Sequence, residues 1–227
     1  IIKLETLMAT FEGLQIRDIY YRELYWLVFQ ILHQSESLFE LFPVQVNEVF
    51  ISTKLEGLDL IYAILSNAAK IHELCNAQRS GELHQDRASY FKSIIESIGV
   101  SEILEKKVRN TIEHFGEYLD DDSKNHRSAG LGKKAEYAIA QNFIFSHMEE
   151  IKGHGKSHWL FKTPQLQWPI YPVRVYVASE KRFYNMQWSI DLGKIYGESK
   201  LLQQYFIDQK LFNEPDPENW TSGLLFV

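Results

Sequence analysis

The chain has 227 residues, enough for one large domain, or one domain with an appendage, around a core of its own. Hydrophobic residues at 45% and charged residues at 24% exclude a wholly disordered chain, and aromatics at 14% supply large rings for a core or an interface. A net charge of −6 excludes a broad nucleic-acid-coating surface but leaves room for a local basic cleft.

The first predicted element runs from about Ile16 to Phe42. Ile19, Tyr20, Leu24, Leu27, Ile31, Leu38 and Leu41 recur at helical spacing, and Pro43 ends the segment. The second is a long amphipathic helix. Val46, Val49, Thr53, Gly57, Leu60, Ile64, Ala68, Ile71 and Cys75 step by three or four, with a neighbouring row at Phe50, Ile61 and Leu65, until Ser80-Gly81 closes it. Cys75 is the only cysteine, which excludes an internal disulfide framework and fits a reducing compartment. His72 and Cys75 share a helix face and read as packing residues.

A third helix is predicted over Asp86 to Ile98, stopped by Gly99. Ser101 is the expected N-cap of a fourth, with Leu104, Val108, Ile112, Phe115 and Leu119 on its stripe. The polar run Asp120 to Arg127 reads as a solvated loop, and its acidic triplet lacks the alternating ligands of a calcium loop. Ala135 to Ile151 reads as helix, although Tyr137, Ile139, Phe143 and Phe145 partly alternate. Gly153 and Gly155 break it, and Pro164, Pro169 and Pro172 exclude a further long helix. Val173 to Val177 and Phe183 to Ile190 read as two strands around a polar turn at Ser179 to Lys181. Asp191 is the expected cap of a last helix through Leu192, Ile195, Tyr196, Leu202 and Phe206, and the tail after Phe212 reads as irregular.

These elements predict a mainly α protein. The expected architecture is an antiparallel bundle of long amphipathic helices over residues 1–150, with a C-terminal β-hairpin and helix appendage over 151–227 packed on it. No run of about 18 apolar residues occurs, and no N-terminal stretch has the make-up of a secretory signal, so a soluble cytoplasmic protein is expected.

The chemistry-bearing segment is Val108 to Asp120 on the fourth predicted helix. With Val108, Ile112 and Phe115 inward, Asn110 and His114 share one side of the polar half and Arg109 and Glu113 the other, with Glu117 between them. An ordinary surface i,i+4 pair between Arg109 and Glu113 accounts for part of this pattern. Arg109-Asn110, three residues and His114 also resemble the R-x4-6-H signature of HEPN domains. The wider string, through Phe115, Glu117 and Leu119, is similar to a pattern in uncharacterised bacterial HEPN-like proteins, with Gly116 where that pattern has an aspartate. In nucleotidyltransferase-paired HEPN proteins a tyrosine follows two residues after the histidine. Gly116 departs from that subtype too.

The resemblance implies a dimeric helical domain acting as a metal-independent endoribonuclease in defence or toxin–antitoxin systems, with a protein regulator. In such an enzyme His114 would be the general acid or base for attack of a 2′-hydroxyl on the adjacent phosphate. Arg109 would hold that phosphate, and Asn110 would orient the imidazole or the substrate. Glu113, Glu117 and Tyr118 would support the pair, and Lys106 and Lys107 would supply positive potential to an RNA backbone. Arg109 and His114 lie about 140° apart around one helix, so the expectation includes a homodimer that reunites them in a composite site.

Other candidates are weaker. His154 and His158, with His147 upstream, have one zinc-compatible spacing but no acid or cysteine to complete a set, so no metal and no cofactor is expected. No glycine-rich phosphate loop, nucleophile elbow or dinucleotide fingerprint occurs. Trp168, Trp188 and Tyr176 offer either a stacking surface or core. The alternative to the enzyme is a non-catalytic helical module that dimerises or binds RNA or protein.

Overall fold

A computed structural model describes residues 17–44, 49–77, 81–128, 137–151 and 160–209. The first helix, α1 (Arg17–Leu41), buries Leu24, Val28, Ile31 and Leu38 against α2 (Leu55–Leu74) and the last helix, α6 (Leu192–Asp208). The α2 stripe Leu58, Ile61, Ile64, Leu65, Ala68 and Ile71 is buried, as its spacing requires. Its start differs from the expectation. Val49 to Lys54 stay outside the helix, because Ile51–Ser52 forms a short strand, β1. Val46 and Ser80 lie outside the described residues.

Helix α3 (Glu82–Ile98) ends at Gly99, whose φ of 81° is the left-handed C-terminal turn that glycine adopts without a Cβ clash. Val100 then donates its N–H to the Ile95 carbonyl and enters the core. The expected fourth helix is two helices. α4 (Lys107–Glu113) stops at His114, where ψ is 38°, and α5 (Phe115–Ser128) restarts at once. Ser101 is therefore not an N-cap, and the run read as a loop from Asp120 continues α5.

The largest correction concerns fold class. The chain is a mixed α/β protein with a seven-stranded sheet, not a helical bundle with a minor hairpin. The segment expected to be helical over Ala135 to Ile151 supplies β2 (Ala138–Phe145) and β3 (Glu149–Ile151). β4 (Leu160–Lys162), β5 (Ile170–Val177), β6 (Arg182–Asn185) and β7 (Trp188–Asp191) complete the sheet. β2 runs parallel to β5 along its whole length, and every other pairing is antiparallel. β4 and β6 share the opposite edge of β5, one at each end. The strand expected at Val173 to Val177 is the end of β5, whereas Phe183 to Ile190 is not one strand but falls on β6 and β7, which pair around a turn at Met186-Gln187.

A matched pair of backbone irregularities explains why β2 was hard to read. Asn142 in β2 has φ 61° and Arg174 in β5 has φ 59°, at the same level of the two parallel strands. Each left-handed residue inverts which face its strand presents. Before it, Tyr171 and Val173 share a cluster against α5, while Ala140 and Ile170 lie on the other face. After it, Ile144 and Tyr176 face the main helical core, while Phe145, Val175 and Val177 face away. Because both strands slip together, the ladder continues in register. Asn tolerates this conformation and a β-branched residue does not. Asn142→Val is therefore expected to lose about 1–2 kcal/mol in urea unfolding, and Asn142→Gly to lose almost nothing. Equal stability of the two variants would contradict this reading of the strand pair.

The main core draws on both sides of residue 150, from Tyr21 to Ile144 and from Tyr176 to Phe206. Asp191 caps α6 as expected, its Oδ1 accepting the Lys194 N–H at 2.8 Å. No helix among the described residues is long and apolar enough to cross a membrane.

Candidate functional site

The elements that matter are α2 and α4, which pack side by side. Between them lies a cleft of about 160 Å³ lined by Tyr62, Leu65, Ser66 and Ala69 from α2 and Arg109, Ile112 and Glu113 from α4. The lining is mostly apolar. Its charged members are Arg109, only 5% exposed, and Glu113, which is exposed.

Arg109 is held at one end. Its Nε donates to the Glu105 carbonyl oxygen at 3.1 Å, one turn back along the chain. Its Nη2 is buried and has no hydrogen-bond partner among the described residues. Burial pushes the guanidinium pKa down, and Glu113, Glu105 and Glu73 oppose that from a distance. No carboxylate is in ion-pair contact with it among the described residues. A buried cation so poorly matched by its own chain is unusual, because an unpaired buried charge is costly.

The histidine that senses Arg109 is His72, not His114. His72 stands on α2 one turn beyond Ala69, half-buried, and its pKa is lowered by burial first and then by the charges of Arg109 and Lys106. The sequence put His72 on a packing face but had no signal for the neighbour across the cleft. A depressed folded pKa makes this histidine's contribution to stability complete above its ordinary value of 6.5 and lost as pH falls below it. The urea midpoint is accordingly expected to fall between pH 7.5 and pH 5, and His72→Gln to flatten part of that fall. An unchanged slope in the variant would assign the acid sensitivity elsewhere.

The remaining residues of the expected site disperse. His114 ends α4, its side chain is 56% exposed, and its Nδ1 sits 3.8 Å from Glu117 Oε2, itself in solvent. Asn110 is half-buried, and its carbonyl accepts the His114 backbone N–H. Tyr118 packs with Phe115 against Leu160, Tyr171, Val173 and Met186 on the sheet. Lys106 and Lys107 are exposed, with the Lys107 ammonium 5.2 Å from the Trp188 ring centre. One chain therefore brings Arg109 and Glu113 into one cleft, with His72 within electrostatic reach of Arg109, and leaves His114 and Glu117 on the outer surface. Arg109 and His114 were already about 140° apart on a continuous helix, and the break at His114 also removes the 100° step that would have related Glu117 and Tyr118 to them.

Residues that sequence reading missed also shape the site. Tyr62 forms one wall, and the Arg174 charge reaches its hydroxyl. The Arg174 guanidinium itself lies 4.1 Å over the Phe115 ring. Of the aromatics considered for stacking, Tyr176 is core and Trp168 is exposed. His154 and His158 lie outside the described residues, and among those described no three His, Cys, Asp or Glu residues cluster as metal ligands.

Neither a family model, nor a curated protein, nor a solved structure matches the chain. The resemblance to HEPN domains accordingly rests on the Arg109–His114 spacing alone, and the helical-bundle fold that went with it is replaced by the mixed sheet.

Proposed function

We propose that the chain is a small-molecule-binding module whose ligand enters the α2–α4 cleft and presents an anionic group to Arg109. One observation carries this reading: a guanidinium almost wholly removed from water, in a residue that lines a cleft, with an Nη2 that no group of the described chain answers. A bound anion would supply hydrogen bonds that the described chain does not give Nη2.

The test is thermal unfolding with and without small anions in a chloride-free buffer. Ligand at about 100 times Kd stabilises by about 2.7 kcal/mol, a rise of several degrees for a chain of this size. The rise is expected in the wild type and absent in Arg109→Gln. No shift with any anion would remove the proposal.

RNA cleavage at a two-fold junction is the competing reading, and a homodimer, an RNA substrate, a protein regulator and a cytoplasmic setting belong to it. It requires a second copy to bring His114 to a phosphate held by Arg109. The binding-module reading expects purified protein and mixed RNA in chelator to give no cleavage that His114→Ala abolishes. His114-dependent cleavage would favour the enzyme.

A further inference from the structure

We infer that the α2–α4 cleft selects a small monocarboxylate with a compact apolar body, its carboxylate on Arg109 and its hydrocarbon against Tyr62, Leu65, Ala69 and Ile112. The inference rests on the anion-binding reading above and narrows it to one chemical class.

Three features of the cleft choose the class. The first is shape. A guanidinium presents parallel N–H groups in a plane, which matches the two oxygens of a carboxylate. The Arg109 Nε is already committed to the Glu105 carbonyl and Nη2 is buried without a partner, so a ligand meets the terminal end of the guanidinium.

The second feature is charge. Glu113 lines the same cleft and acts electrostatically on Arg109. With Arg109 and Glu113 in one cleft, a monoanion leaves one negative charge in excess and a dianion such as a phosphate monoester leaves two, so the lower charge is favoured. A phosphate site ordinarily gathers several donors, including backbone N–H groups or a second cation. The lining residues of this cleft add only the hydroxyls of Ser66 and Tyr62 as neutral polar groups.

The third feature is size and surface. The cavity of about 160 Å³ is close to the roughly 150 Å³ that holds one benzene ring in an apolar protein cavity. Tyr62, Leu65, Ala69 and Ile112 give that body dry contacts on both helices. A ligand of benzoate size, or a branched acid of five or six carbons, fills the space. A long fatty acid or a nucleotide exceeds it.

The probes are sodium benzoate and 3-methylbutanoate, with benzamide as the neutral isostere of benzoate and inorganic phosphate as the other anion. Binding to the full chain is read by ligand-observed NMR and calorimetry. Two variants locate the site. Arg109→Gln removes the charge. Ala69→Leu fills the cavity and leaves the guanidinium in place, which keeps the test open if Arg109→Gln folds poorly.

The expected result is saturable benzoate or 3-methylbutanoate binding to the wild type, at least tenfold weaker benzamide binding, and a loss of at least tenfold in each variant. Benzamide binding as tight as benzoate would overturn the role of the carboxylate. Phosphate binding as tight as benzoate, lost in Arg109→Gln, would overturn the carboxylate class while leaving the anion-binding reading standing. Benzoate binding unchanged by Ala69→Leu would place the ligand outside the cleft. Failure of every anion to bind would overturn both readings.

Discussion

Glu198→Ala is expected to destabilise the chain by about 3–5 kcal/mol, the largest loss of any single polar truncation considered for this fold. Glu198 sits on α6, only 5% exposed, and reaches the turn that leads into α4. Its Oε1 accepts the backbone N–H groups of Ser101 at 2.9 Å and Glu102 at 3.0 Å, and its Oε2 accepts that of Ile103 at 2.9 Å. One carboxylate thus serves three consecutive donors, one of them in a buried bond. Alanine would leave Ile103, whose side chain is fully buried, with an unanswered N–H and would free the turn from α6. Lys194 does not substitute, because it is a donor and meets the same Glu198 carboxylate only at 3.8 Å. Thermal melts by circular dichroism should drop by roughly 10 °C or more for a chain of this length. Glu198→Gln keeps one good acceptor oxygen and is expected to lose about half as much. A change below about 0.5 kcal/mol in Glu198→Ala would mean that packing alone fixes this turn.

Arg109→Met is expected to stabilise the chain while abolishing ligand binding. Methionine has a similar reach, fills the same space and carries no charge to desolvate. Replacing a buried ion by a packed apolar group is commonly neutral or stabilising by about 1–4 kcal/mol. The lost bond from Nε to the Glu105 carbonyl offsets about 1 kcal/mol of that. A net gain of about 1 kcal/mol is the expected result, seen as a higher urea midpoint without a change in slope. The same variant should lose the ligand-induced stabilisation. A residue kept for function at a cost in stability behaves in this way, whereas a structural strut does not. A loss of 2 kcal/mol or more in Arg109→Met would make the arginine part of the scaffold and undercut the binding site. The variant should also raise the His72 pKa, because one of the charges that lowers it is gone.

The two predictions are linked through the fold. Glu198 anchors the turn at Ser101 to Ile103, and that turn leads directly to the helix that carries Arg109. Loosening the anchor is expected to weaken ligand binding in Glu198→Gln even where the variant stays folded. Val108, fully buried beside Arg109, and Thr111, which takes the Asn185 amide at 2.8 Å, fix the same helix from the core side.

Some of this was legible in the sequence. The apolar stripe of α2, the glycine stop of α3 and the Asp191 cap of α6 depend on local geometry, and each was read from residues within a turn or two. Arg109 stood out in the sequence only through its spacing to His114, and its burial was not legible, because the stripe geometry put it on the polar half of its helix. Its electrostatic influence on His72 was not legible either, because the packing of α2 on α4 relates residues 37 positions apart in sequence (109 less 72). The break at His114 carried no proline and so gave no breaker signal.

The sequence by itself determined where the strongly periodic helices lie, where glycine and aspartate cap them, and that an ordinary hydrophobic core forms. Only the tertiary structure decided that β2 is a strand, because a parallel pairing with β5 overrides a local pattern scrambled by Asn142. Only packing turned Arg109 into a cleft and left His114 in water. The physical reason is range: helix stripes and caps are settled within one or two turns of chain, whereas ladder pairing and the burial of a charge depend on residues far apart in sequence.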